Sequence, residues 1–268
     1  MNMLVCIKQV PDTTEIKINP ETNTLIRDGV PSIVNPFDAY ALECAAKLKD
    51  ANPGSKIVVV SMGPEQAKAA LKECLSVGGD KAYLVSGREF GGSDTLATGY
   101  ALAQAIKKIE ELEGFKFDVL FAGKQAIDGD TAQVGPQIAE NLDIAQVTYA
   151  FEAWAQENGT LKVKKEEEEG FEMLELPLPC MVTVTKPNYE PRYPTIKSKM
   201  AANKAQITVL SAQDFELDLG QVGLKNSPTR VKKTFTPPRK TGGVKIKEET
   251  NEESAKKLFE MLRDKNII

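Results

Sequence analysis

The chain has 268 residues, of which 41% are apolar and 27% are charged, so it is long enough for one large α/β domain with appendages or for two small domains. Its net charge of −4 argues against nucleic acid as the main partner, because neutralising phosphates requires a basic surface. It contains no histidine, which excludes hydrolases of the Ser-His-Asp or Cys-His kind. No catalytic side chain is predicted, and the chemistry must come mainly from a bound cofactor or a partner.

The sequence also shows no sign of export, membrane insertion or metal binding. No apolar run approaches the roughly 18 residues of a transmembrane helix, and the N-terminus enters a strand-like run directly, without a signal or transit segment. The four cysteines are far apart, and Cys6 and Cys180 lie in apolar runs, which is typical of small buried hydrophobic residues. We expect a cytoplasmic protein with neither disulfides nor a metal site.

Strand-like and helix-like segments alternate through the first two-thirds of the chain. The predicted strands are residues 3–7, 57–61, 82–85, 118–122 and 181–185, and the predicted helices are residues 36–50, 64–77, 94–113 and 132–142. This alternation predicts an α/β fold with a Rossmann-like, doubly wound, mostly parallel sheet and helices on both faces. Ligands of such folds bind at the carboxyl ends of the strands.

Two β-hairpin insertions and a C-terminal extension complete the prediction. Residues 15–26 alternate in period two around a turn, and residues 147–176 hold a second hairpin with an acidic tip. Residues 226–244 are rich in Pro, Lys and Gly and predict an extended arm, followed by an amphipathic helix at about 251–264. We expect an α/β domain at 1–225, and at 226–268 an arm and helix that wrap around a partner subunit.

Residues 123–140 are the most informative stretch, because a buried strand leads through a glycine-bearing loop into a helix N-terminus. Such a terminus presents free N–H groups to an anion. The loop carries Asp128 and Asp130, and no Lys or Arg follows them before Leu142, which does not suit a bare phosphate. Four more loops are expected at the strand ends and, with this loop, would ring one cleft: residues 8–11, 34–38 (which open a helix, with Asn35 as its cap and Pro36 in the first turn), 62–64 and 91–95.

Several helix N-termini at one cleft would make it electropositive without basic side chains. A pyrophosphate would sit on residues 93–98, while Asn35, Asp128 and Asp130 would accept hydrogen bonds from ribose hydroxyls or the adenine amino group. Two other classes remain open at this point. Residues 91–95 are similar to a loop of ATP pyrophosphatases, although that loop follows the first strand, so an ATP-using enzyme or nucleotide sensor is one alternative. A purely structural nucleotide-binding subunit is the other.

The chain resembles the β subunit of electron transfer flavoproteins over nearly its whole length. The most specific matches are residues 163–174 and 179–183, and residues 6–10, 35–38 and 125–136 match the nucleotide-binding segments. The resemblance implies a heterodimer with an α subunit that carries its own FAD. In simple members the β subunit holds structural AMP. In flavin-bifurcating members it holds a second FAD that accepts hydride from NADH and splits the electrons between ferredoxin or flavodoxin and the α-subunit FAD, which reduces an acyl-CoA dehydrogenase.

The loop at 128–136 resembles that of the bifurcating, anaerobic bacterial type, so FAD is preferred to AMP, with NADH as donor. The expected cofactor-binding residues are Cys6, Asn35, Pro36, Phe37, Asp38, Met62, Ser93, Asp94, Thr95, Thr98, Gln125, Ala126, Ile127, Asp128, Gly129, Asp130, Thr131, Gln133, Val134 and Gly135. The resemblance also implies a docking segment for the acyl-CoA dehydrogenase at Tyr189, Pro191, Tyr193, Ile196 and Met200, with Ile196 as the exposed aliphatic anchor.

Overall fold

The computed structural model describes residues 1–12, 31–232 and 242–268. Residues 1–12 and 31–232 form one compact unit, and residues 242–268 belong to a second. The hairpin predicted at 15–26 lies outside the described residues, as does the part of the predicted arm at 233–241.

A nine-stranded sheet forms the centre of the first unit, in the order β11-β5-β4-β1-β6-β10-β7-β8-β9. The pairs from β11 to β7 are all parallel, and β8 and β9 are antiparallel additions at one edge. A separate antiparallel pair joins β2 to β3. The strands are β1 (Asn2–Cys6), β2 (Gln9–Pro11), β3 (Ser32–Val34), β4 (Lys56–Met62), β5 (Lys81–Val85), β6 (Val119–Gly123), β7 (Ala145–Ala155), β8 (Thr160–Glu167), β9 (Gly170–Pro177), β10 (Cys180–Val184) and β11 (Thr208–Leu210).

Helices cover both faces of the sheet. Successive strand residues point to opposite sides, and in the central strands both sets are apolar. Met3 and Val5 pack in the apolar cluster under α1 and α2, whereas Leu4 packs in the cluster under α3 and α4. This confirms the doubly wound, mostly parallel α/β fold. The helices of the described residues are α1 (Pro36–Ala51), α2 (Lys68–Val77), α3 (Thr95–Glu113), α4 (Val134–Leu142), α5 (Ile196–Lys204), α6 (Gly223–Asn226) and α7 (Asn251–Asp264).

The structure differs from the predicted elements in several places, of which three bear on the sheet and on the predicted docking segment. The hairpin at 160–177 is present, but it extends the main sheet through β7, a long strand that the predicted elements lack. Strand β11 was also missed, since three residues are too short for a periodic signal. Helix α5 begins at Ile196, where no helix was predicted, because Thr195 and Ser198 form a reciprocal capping box at its start.

The second unit contains helix α7, whose start is closed by a capping box between Thr250 and Glu253. Across the described ranges, no helix is both long and apolar enough to cross a membrane. All four cysteines are free and buried, which confirms the burial predicted for Cys6 and Cys180 from their apolar runs. Within the same ranges, no group of three or more His, Cys, Asp or Glu side chains is placed to hold a metal ion.

Candidate functional site

The carboxyl ends of β1 and β6 meet at the point where the chain changes direction across the sheet. From β1 the chain passes through α1 to β4 on one side, and it later crosses from β5 through α3 to β6 on the other. Ligands of open α/β sheets bind in the crevice at such a switch point. We therefore call residues 7–11, 34–38, 61–64 and 124–133 the cleft, and residues 124–133 the cleft loop.

A buried carboxylate ties the floor of the cleft together. Asp38, in the first turn of α1, is 6% exposed. Its Oδ2 accepts a hydrogen bond from the backbone N–H of Lys8 at 2.7 Å, and its Oδ1 accepts one from the N–H of Gly123 at 3.0 Å. Burial raises the pKa of Asp38 to about 7, although both N–H donors act in the opposite direction. One side chain thus fixes the ends of β1 and β6 relative to α1.

Asn35 holds the cleft loop, which corrects its predicted role as a side-chain cap of α1. It occupies the N-cap position, but its side chain makes no cap hydrogen bond. Instead, its Nδ2 donates to the carbonyl oxygen of Gln125 at 2.9 Å, and its Oδ1 accepts from the N–H of Ile127 at 3.1 Å. The backbone oxygen of Asn35 closes the helix start by accepting from the N–H groups of Asp38 and Ala39. Both amide atoms therefore shape the loop.

The acids of the cleft loop have partners from neighbouring positions. Lys8 Nζ lies 2.6 Å from Asp128 Oδ1, and the Asp128 side chain is 11% exposed. Asp130 Oδ1 accepts a hydrogen bond from Gln125 Nε2 at 2.7 Å. No Lys or Arg follows the two aspartates in the cleft loop to compensate their charge. Lys8, which lies just after the adjacent strand β1, supplies that positive charge for Asp128.

A cavity of about 170 Å³ lies beside Asp128, with Ser61, Met62 and Gln66 in its lining. Ser61 is 1% exposed, and its Oγ has no hydrogen-bond partner among the described residues. Buried hydroxyls are nearly always paired, so this one is suited to a polar ligand group. Cys6, at the end of β1, is also buried, and burial raises the pKa of its thiol to about 12. Its thiol is therefore neutral, and it packs in the apolar cluster under α3 and α4.

The cleft loop carries backbone strain. Asp130 and Ala132 have φ angles of 51° and 52°, in the left-handed region that non-glycine residues rarely adopt. Each such residue costs about 1–2 kcal/mol, and Ala132 has no polar side chain to offset this. Strain of this kind persists where the surroundings impose it and is common at ligand-binding loops.

The start of α3 lies beside the cleft loop and the start of α4. Thr95 Oγ1 donates to Gln133 Oε1 at 2.9 Å, and the two helices pack so closely that a Cβ on Gly99 would lie 2.7 Å from Gln137 Cβ. Two helix N-termini therefore meet at the same edge of the sheet. Helix N-termini carry backbone N–H groups without intrahelical partners, so this edge of the sheet is suited to an anionic ligand.

Two predicted phosphate-side residues have structural partners. Asp94 caps α3 by accepting from the N–H of Ala97 at 3.0 Å, and it also accepts from the N–H and hydroxyl of Thr229. Ser93 Oγ accepts from the N–H of Gly223 at 2.9 Å. These side chains hold residues 223–229 on the loop, and the Asp94 carboxylate also occupies the N–H of Ala97 at the start of α3.

Lys8, Lys124 and Ser61 were missed by sequence reasoning. Lys124 follows β6 directly, and its Nζ lies 5.4 Å from the ring centroids of both Phe37 and Tyr149. The position of the two lysines was a usable signal. Lys8 follows the predicted strand 3–7 directly, and Lys124 lies two residues after the predicted strand 118–122, so both positions were expected at the carboxyl ends of parallel strands. Ser61 offered none, because its burial without a partner is visible only in three dimensions.

The predicted docking segment, residues 189–200, presents apolar side chains to solvent. Tyr193 is 91% exposed, Ile196 is 85% exposed and Met200 is 58% exposed. Ile196 and Met200 lie one turn apart on α5 and so share a face. Tyr189 and Pro191 are partly buried, and the Tyr189 hydroxyl donates to the carbonyl oxygen of Phe151 at 3.2 Å.

The fold and the cleft place the chain in the class of doubly wound α/β proteins whose ligands bind at a topological switch point. Comparison with known proteins narrows this class. Residues 22–215 match the family described as "Electron transfer flavoprotein domain". The electron transfer flavoprotein subunit beta of Megasphaera elsdenii is 53% identical, over 95% of this chain and 94% of that protein.

Two further relatives extend the comparison. Subunit CarD of the caffeyl-CoA reductase-Etf complex of Acetobacterium woodii is 47% identical over the full length of both chains. Protein FixA of Bradyrhizobium diazoefficiens is 45% identical over 89% of this chain and 83% of that protein. The chain belongs to the electron transfer flavoprotein family, as a β subunit, which confirms the resemblance found in its sequence. Membership associates it with a flavin or nucleotide and with an α subunit.

Proposed function

We propose that this β subunit is of the flavin-bifurcating type and that its cleft binds FAD. When bound, this flavin would accept hydride from NADH and pass one electron to ferredoxin or flavodoxin and the other to the FAD of the α subunit, which serves an acyl-CoA dehydrogenase. In this proposal residues 226–268 contact the α subunit. AMP in the same cleft, with no redox role, is the alternative outcome.

The observation that carries the proposal is the hydrogen bond between Thr95 and Gln133, which joins the start of α3 to the cleft loop. It adds a second helix N-terminus to the wall formed by residues 125–131. A nucleoside monophosphate needs one phosphate site, whereas a dinucleotide also needs room and N–H donors for a pyrophosphate. In this proposal the adjacent starts of α3 and α4 supply those donors through the N–H groups that Asp94 does not cap, and they would also favour anionic forms of a bound flavin.

The residues of the cleft divide into supports and ligand contacts. Asn35 and Asp38 hold the loops in place through their internal hydrogen bonds. The ligand contacts in this proposal come from the unpartnered Ser61 hydroxyl, from Met62 and from the free acceptor capacity of Asp128. Cys6 supplies an apolar, uncharged wall. The Ser61 hydroxyl, which is buried and has no partner among the described residues, is the reason to expect that these residues fit a polar ligand.

The names of the relatives support the partners in this proposal. One relative is a subunit of a complex between an Etf and a reductase of caffeyl-CoA, so an enzyme acting on a CoA thioester assembles with that protein. In this chain, the exposed Tyr193, Ile196 and Met200 form the surface that would meet an acyl-CoA dehydrogenase.

NADH oxidation by the purified heterodimer tests the bifurcating function. With the dehydrogenase and its enoyl-CoA substrate present, we expect NADH oxidation to depend on added ferredoxin or flavodoxin. One of the two electrons from NADH must leave the cleft to the low-potential acceptor and the other to the α-subunit FAD. The measurement is NADH absorbance with and without the low-potential acceptor. If adding NADH leaves the flavin absorbance unchanged both with and without the low-potential acceptor, the proposal is contradicted.

A further inference from the structure

The docking segment spans a cavity before it enters α5. The cavity has a volume of about 270 Å³ and lies between residues 190–194 and the side chains of Leu42, Glu43 and Cys74 on α1 and α2. Backbone that crosses open space has few packing contacts to define its position. The position of the segment therefore depends on the polar contacts that hold it at this point.

Arg192 makes the densest set of these contacts. Its backbone N–H and its Nε donate to Glu43 Oε2 at 3.0 and 2.8 Å, and its Nη2 donates to Glu43 Oε1 at 3.1 Å. Nη2 also lies 2.8 Å from Asp50 Oδ2. Glu43 is 8% exposed, so its charge is compensated in a largely buried setting. A planar guanidinium fork on a carboxylate fixes orientation as well as distance, which a lysine ammonium cannot do.

Other contacts hold the two ends of the crossing. The Tyr189 ring lies under Lys47 Nζ at 3.7 Å from its centroid, and Tyr40 donates its hydroxyl to Glu190 at 3.2 Å. At the other end, Thr195 caps α5. Arg192 lies between these ends, directly before Tyr193 and four residues before Ile196.

We propose that Arg192 is a positioning residue: clamped to Glu43 and Asp50, it holds the docking segment above the cavity so that Tyr193 and Ile196 project toward the dehydrogenase. The inference rests on the proposed docking function of residues 189–200. Without the clamp, residues 190–194 can sink toward the cavity, and the exposed side chains lose the arrangement that the partner meets. Preorganisation of this kind lowers the ordering cost of binding, so it acts on affinity and not on the rate within the complex.

The test is Arg192→Lys in the intact heterodimer, which keeps the charge but removes the fork. The assay is electron transfer from substrate-reduced acyl-CoA dehydrogenase to the heterodimer, followed by flavin absorbance over a range of heterodimer concentrations. We expect the half-saturating concentration to rise about tenfold, equivalent to about 1.4 kcal/mol, with the maximal rate unchanged. Glu43→Gln keeps the shape of the site and should shift the half-saturating concentration in the same direction.

Lys49→Gln is the matched control. Lys49 lies on α1, as Glu43 does, but its Nζ pairs with Asp80 Oδ1 at 2.5 Å and not with the docking segment. It should leave the half-saturating concentration unchanged. Hydrogen exchange gives a second measurement: the amides of residues 190–200 should exchange faster in Arg192→Lys and Glu43→Gln than in the wild type or the control.

The outcomes separate this inference from the docking function itself. If Ile196→Asp abolishes transfer while Arg192→Lys and Glu43→Gln keep the wild-type half-saturating concentration, the positioning role is wrong. A lower maximal rate at an unchanged half-saturating concentration would overturn it equally. If Ile196→Asp transfers electrons normally, the docking assignment fails first.

Discussion

Replacing Ile196 with Asp is expected to abolish electron transfer between the heterodimer and its acyl-CoA dehydrogenase, with a rate at least about 100-fold lower at fixed protein concentrations. Ile196 is 85% exposed and lies at the start of α5, where no apolar neighbour among residues 1–12, 31–232 and 242–268 buries it. A carboxylate forced into an apolar interface without a partner loses its hydration, and this penalty falls on the complex alone. The measurement is reduction of the heterodimer flavin by substrate-reduced dehydrogenase.

Two controls define what this loss means. Ile196→Leu should retain transfer, because a leucine of equal volume can fill the same apolar contact. Leu112→Asp introduces the same charge at a half-exposed position near the end of α3, away from the docking segment, and should transfer at the wild-type rate. In Ile196→Asp, reduction of the cleft flavin by NADH should persist. Normal transfer to the dehydrogenase in that variant would refute the docking assignment.

Replacing Gly123 with Ala is expected to empty the cleft and to lower the free energy of unfolding by about 3 kcal/mol. A Cβ at this position would overlap Asp38 Oδ1 and lie 2.6 Å from the carbonyl carbon of Phe37. Because the second contact is backbone, no side-chain rotation relieves it. The α1 start must move away from β6, and the hydrogen bonds from Lys8 and Gly123 to Asp38 are lost with it. The measurements are ligand content after purification and urea unfolding.

Gly129→Ala is the matched control for stability. It lies in the cleft loop, and a Cβ added there would meet nothing within 4 Å. Its free energy of unfolding should stay within about 0.5 kcal/mol of the wild-type value. A Gly123→Ala protein that retains its cleft ligand and the wild-type unfolding midpoint would show that the contact between α1 and β6 does not shape the cleft.

The fold could be predicted from the sequence because its central strands are continuous apolar runs between long amphipathic helices. Residues 118–122, predicted as a buried strand, overlap β6 (Val119–Gly123), every residue of which is buried. Strand β7 was missed for the opposite reason: its residues are mostly half-buried, so neither a continuous run nor a strict alternation marks it. Helix α5 was missed because a local capping box, and not apolar periodicity, defines its start.

The loops of the cleft could be located from the sequence, but the use of each side chain could not. Parallel strands bring their carboxyl ends to one edge, which is sufficient to place residues 8–11 and 125–133 together. Whether Asn35 caps its helix or holds the cleft loop depends on a distance between residues 90 positions apart. The ion pair of Lys8 with Asp128 and the unpartnered Ser61 hydroxyl depend equally on the packed structure.

The flavin content of the purified heterodimer tests the central claim most directly. If the cleft binds FAD, denaturation should release two FAD per heterodimer, one from each subunit, and no AMP. The ligands are separated by chromatography and counted against protein concentration. One flavin with one AMP per heterodimer would contradict the claim and would identify the β subunit as a structural nucleotide-binding partner of the α subunit.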